Sequence, residues 1–141
     1  MLTTDVTFPS SISWSRNGDA IAYSSGLAGI VAARVYVAAT DGSGSMQVGD
    51  PELDAWSPAF SPDGWTLAFM GGNHDAERGL FLMDRDGSDV QQLSHETGGN
   101  YSWQYNVPRW SPDGQYVLIG GARRAGPIPG SSTSTAPTKW T

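Results

Sequence analysis

The sequence predicts an all-β fold made of repeated four-stranded antiparallel units, and three observations carry that expectation. A strand–turn–strand segment occurs three times, closing on Gly18, Gly64 and Gly114, which lie 46 and 50 residues apart. A second landmark, an apolar stretch ending in Asp-Gly, closes on Gly42 and again on Gly87, 45 residues apart. Glycine and proline number 18 and 9 in a chain of 141 residues, as a fold of short strands and tight turns requires.

Each unit reads in one order. An apolar aromatic strand end meets a turn, as in Val107-Pro-Arg-Trp-Ser-Pro-Asp-Gly114 and Ser57-Pro-Ala-Phe-Ser-Pro-Asp-Gly64. Proline presets φ at the second turn position, aspartate accepts turn N–H bonds, and glycine takes positive φ. The first unit, Ser11–Gly18, has Arg16 and Asn17 in place of Pro-Asp and lacks the proline restraint. The next stretch alternates (Ile21 and Tyr23, Leu67 and Phe69), which is the period of a strand with one buried face. A glycine-rich loop follows, then a third strand ending in the Asp-Gly hairpin signal, then a short fourth strand such as Val90–Ser94. Four strands in about 45 residues is the arithmetic of a β-propeller blade.

Two blades are complete on this reading, and two are partial. Residues 2–4 are expected as the outer strand of a preceding blade. The third unit, Val107–Gly121, is expected to stop after its second strand. The propeller then occupies residues 1–121. Ala122–Thr141, rich in Gly, Pro, Ser and Thr, is expected to be a flexible tail.

The repeats resemble the TolB-like, WD-like propeller repeat, whose hallmark reads Pro-x-Trp-Ser-Pro-Asp-Gly, an apolar strand, Asp-x-Asp-Gly, then Leu-Thr or Leu-Ser. Val107–Gly114 matches the first part and Phe81–Ser94 the second. The resemblance implies a ring of six or more blades and an extracytoplasmic location, periplasmic or secreted. Similar propellers also sit beside the catalytic domain of prolyl-oligopeptidase-like peptidases.

Composition narrows the chemistry. The absence of cysteine excludes disulfides, zinc–thiolate sites and a cysteine nucleophile. A net charge of −6 disfavours nucleic acid as a partner. Bases gather late, with Arg109, Arg123, Arg124 and Lys139 against Asp113, and are read as a solvated tail. No apolar run approaches the roughly 20 residues of a membrane span, so membrane insertion is not expected. Met1–Ser10 has neither a basic start nor an apolar core, so no signal peptide is expected in this chain.

The individual candidates follow. Trp14, Phe60 and Trp110 hold one repeated position and are read as core wedges between blades. Asp84, Asp86 and Asp89 surround Gly87 but lack the EF-hand spacing, so they read as a solvated hairpin turn and no metal centre is expected. His74 lies in the loop Gly71–Gly79, and His95 adjoins Glu96. Asn100-Tyr-Ser102 forms a glycosylation sequon, usable only in a secreted eukaryotic chain. No nucleophile elbow, zinc-protease motif or phosphate loop occurs, and no cofactor is expected.

The connection His95–Asn106 exceeds its counterpart in the preceding unit by five residues and alternates Tyr101, Trp103 and Tyr105 with polar neighbours. These rings suit either a binding platform or an inward-packed approach to the next blade. The expected function is a non-catalytic module for a protein or glycan ligand. Its contacts are Asn100, Tyr101, Trp103, Tyr105 and His74, on the face carrying the strand 2–3 and 4–1 loops. The alternatives are a propeller fragment of a prolyl-oligopeptidase-like serine peptidase and a structural self-assembling unit. Open, aromatic-rich blade faces favour self-association.

Overall fold

The computed structural model describes residues 9–26, 33–72, 78–94, 107–119 and 123–127, with backbone alone for 9, 10 and 123–127. Strands β1 (Pro9–Trp14), β2 (Ala20–Ser25), β3 (Arg34–Ala39) and β4 (Ser45–Val48) form the first sheet. Strands β5 (Asp54–Phe60), β6 (Thr66–Gly72), β7 (Arg78–Asp84) and β8 (Gln91–Gln92) form the second. Strands β9 (Arg109–Trp110), β10 (Tyr116–Ile119) and β11 (Arg123–Pro127) form a third, three-stranded sheet. Within each sheet the strands pair antiparallel in sequence order, so the predicted up-and-down blades are present.

One boundary moves. Arg123–Pro127, expected in the tail, pairs with β10 through Leu118–Arg124 and Ile119–Arg123, so the third unit continues to a third strand. Short, polar and glycine-containing, this strand carries no apolar alternation that would announce it. Residues 2–4 lie outside the described residues.

The blades stack by pairing a small-residue face with a large-residue face. Ala20, Ala22 and Val35 of the first sheet meet Phe60, Leu67, Phe69, Phe81 and Met83 of the second, all buried. On its other face the second sheet presents Ala68, Met70, Leu80 and Leu82 to Val117, Ile119 and Trp110 of the third. Period-two alternation sends successive residues of β6 to opposite neighbours, and because a blade lies on each side both faces are buried, where the sequence pattern indicated one. At about 25 cal/mol per Å² of buried apolar surface, each such face contributes several kcal/mol.

The serine turns are built alike. Ser61 Oγ donates to Asp63 Oδ1 at 2.6 Å and accepts from Thr66 N–H, while Asp63 Oδ1 accepts from Trp65 N–H. Ser111, Asp113, Gln115 and Tyr116 repeat every bond. In the first unit Ser15 Oγ reaches Asp19 Oδ1 instead, at 2.7 Å, two residues beyond the usual aspartate position. The repeated inner strand also carries a bulge, with Ser11 and Ser57 at φ of 55° and 54°.

The three equivalent aromatics do not share one environment. Phe60 is buried and Trp110 half-buried, as expected of wedges. Trp14 departs from that expectation at 61% exposed. The reason is positional: Phe60 and Trp110 each lie against the preceding blade, and no described residue covers Trp14 in that way.

Candidate functional site

On the face bearing the strand 1–2 and 3–4 turns, the first and second blades are locked by Arg85. Its backbone N–H donates to Trp65 O at 2.8 Å. Its guanidinium lies 5.8 Å from the Phe60 ring centroid and pairs with Asp19 of the first blade at 3.0 Å. The Ser15 hydroxyl, with Arg85 second, holds the Asp19 carboxyl below the usual carboxylate range. Thr40, the equivalent of Arg85 one blade earlier, bonds within its own blade, donating its hydroxyl to Gly18 O and its N–H to Asp19 O.

Beside this lock lies an open groove of about 640 Å³, lined by Val37, Ala39, Met46, Trp65, Asp84, Arg85 and Asp86, among others. Trp65 is 70% exposed and Met46 60% exposed. The repeat does not call for either. The equivalents of Trp65 are Asp19 and Gln115, and the equivalent of Met46 is Gln91. Two positions that are polar elsewhere are thus apolar here, and they line one groove from different blades.

The groove's charge is negative. The cation of Arg85 is occupied by Asp19, which leaves the exposed Asp84 and Asp86 uncompensated within it. Asp86 accepts from the Ser88 hydroxyl and from Ser88 N–H, and these bonds hold its carboxyl below the ordinary range. Asp84 makes no side-chain bond among the described residues; its N–H donates to Ser88 O at 2.8 Å. Asp89 sits at φ 52° and its carboxylate accepts from Gln91 Nε2. The three acids form the hairpin turn that the sequence indicates.

On the opposite face, Arg34 pairs with Asp54 at 2.9 Å, and Ala55 N–H donates to Ala33 O, again joining first blade to second. Arg78 lies 6.0 Å from the Trp56 ring, whose buried Nε1 has no partner among the described residues. Asn100, Tyr101, Trp103, Tyr105, His74 and His95 all lie outside the described residues. The groove residues Trp65 and Met46 escaped sequence reasoning, although departure from the repeat at position 65 was a usable signal.

The architecture matches a TolB-type protein from Agrobacterium tumefaciens, with a TM-score of 0.67 and 26% identity, over 90% of this chain and 46% of that one. The chain's fold is that of a TolB-like partial β-propeller. Two sequence relatives match part of the chain. It is 28% identical over 85 residues to the uncharacterized peptidase YuxL of Bacillus subtilis. It is 31% identical over 88 residues to the uncharacterized protein Atu1656 of Agrobacterium fabrum. Those matches span 12% and 29% of the two relatives. No protein-family model matches the propeller.

Proposed function

We propose that this propeller segment is a non-catalytic recognition module for a protein ligand. The observation that carries the reading is the placing of Trp65 and Met46 in solvent at positions where the other blades have polar residues. Exposed aromatics and methionine beside polar groups are the composition of recognition surfaces. The long connection with Asn100, Tyr101, Trp103 and Tyr105, and His74 in a neighbouring loop, is the proposed second contact surface. Its rings suit a carbohydrate as well as a protein. The TolB likeness supports an extracytoplasmic setting, and the uncovered Ile12 and Trp14 support association between copies.

Selection of a phage-displayed random peptide library on the full chain tests the reading. Enriched peptides should bind saturably, and hydrogen exchange should map them to the groove or to residues 95–106. Failure to enrich any binder overturns it. So does turnover of an ester or peptide substrate that is lost on replacing His74 or His95.

The similarity to YuxL favours a second reading, a propeller that stands beside a serine peptidase domain in a longer polypeptide. A Gly-x-Ser-x-Gly elbow encoded downstream in the same reading frame decides for it.

A further inference from the structure

We infer that the groove between the first and second blades receives an extended peptide segment through a basic side chain, which stacks on Trp65 and pairs with Asp84. The inference rests on the recognition reading above and names the ligand class for one of its surfaces.

Four observations converge. The indole of Trp65 is offered to solvent while its backbone is fixed on both sides, by Asp63 Oδ1 on its N–H and by Arg85 N–H on its carbonyl. An exposed ring on a fixed backbone is an accessible platform, and a cation over an indole face is the strongest of the cation–π pairings. The carboxylate of Asp84 stands in the same groove with no side-chain partner among the described residues. Arg85 cannot neutralise it, because its guanidinium is committed to Asp19 and to the Phe60 face. From the first blade, Met46 lines the same groove and supplies a polarizable, adaptable apolar contact that suits the stem of a lysine or arginine, or its aliphatic neighbour.

The shape selects among cations. An enclosed aromatic cage would suit a small quaternary ammonium. This groove is open and is lined by residues of two hairpins, so it suits a side chain carried on an extended peptide. The repeat supplies an internal contrast. At the next junction the equivalents of Trp65 and Met46 are Gln115 and Gln91, so the same fold there lacks the platform and the apolar wall.

Fluorescence anisotropy on the full chain tests this with an end-blocked, fluorescein-labelled peptide of alternating arginine and leucine, against its twin with citrulline for arginine. The arginine peptide should bind saturably, about tenfold tighter than the citrulline peptide, and more weakly as salt rises. Trp65→Ala and Asp84→Asn should each weaken it about tenfold with unchanged circular dichroism, because both side chains are exposed. Glu52→Gln removes the same unit of charge outside the groove and should leave affinity unchanged. Equal binding of the two peptides overturns the inference, as does an equal loss from Glu52→Gln and Asp84→Asn. If the Tyr101/Trp103/Tyr105 alanine variant loses binding while Trp65→Ala keeps it, the groove assignment falls and the recognition module stands. No saturable peptide binding, together with an empty library selection, overturns both.

Discussion

Trp110 Nε1–H donates to Ala59 O at 2.9 Å, and Phe60 N–H donates to Ser13 Oγ at 3.0 Å. Ser13 and Ala59 are one repeated position, and Phe60 and Trp110 are another. The same two sites therefore close successive blade junctions, once through a serine hydroxyl and once through an indole N–H. Trp110→Phe should keep the wedge and lose the bond, destabilising by about 1 kcal/mol. Trp110→Ala should cost about 3 kcal/mol through the lost packing as well. Urea unfolding of both variants checks the difference.

Gly87 sits at φ +90°, and a Cβ there would stand 2.3 Å from Gly49 N of the first blade. Gly18 has φ +74° and open space around it. Gly18→Ala should thus carry only the conformational term, about 1 kcal/mol. Gly87→Ala must also push the blades apart and should cost at least twice as much, roughly 2–3 kcal/mol. Similar losses in thermal unfolding would contradict the close approach.

Asp19, Asp41, Asp63, Asp86 and Asp113 are all held below the ordinary carboxylate range, each chiefly by a serine hydroxyl. A carboxyl depressed by folding stabilises the fold above its unfolded pKa, about 4, and loses that contribution as pH falls through its folded value. The urea midpoint should be flat near neutrality and fall below about pH 4. By carboxyl NMR, Ser15→Ala and Arg85→Met should each raise the Asp19 titration midpoint, because each removes a group that holds the carboxylate form in place.

Ile12 and Trp14 present an uncovered apolar strip at 62% and 61% exposure. The double change Ile12→Glu, Trp14→Glu should abolish concentration-dependent association of the isolated chain in light scattering. Association unchanged by that variant would assign it to another surface.

The blade plan was legible because Gly18, Gly64 and Gly114 each need positive φ at the same turn. The serine turn beside them was legible too, and even its exception has a reason: with Asn17 at the aspartate position, Asp19 takes over the bond to Ser15. Exposure was harder to read. Trp14 and Phe60 carry the same local pattern, and only the presence of a blade alongside separates them. The groove was hidden for a similar reason. Met46 and Trp65 lie 19 residues apart on different sheets, and no local pattern says that they line one groove. β11 was hidden because Arg123–Pro127 lacks the alternation that marks buried strands.

The unlike closures at the two junctions make blade order a property of the sequence rather than of the fold. A tandem copy of the second blade would set its Phe60 N–H against Ala59, which has no hydroxyl to receive it. A buried N–H left without an acceptor costs about 1–3 kcal/mol. Similar as they look, these blades are not interchangeable modules: each carries a fitting cut for one neighbour, and shuffling them would leave the fittings unmatched.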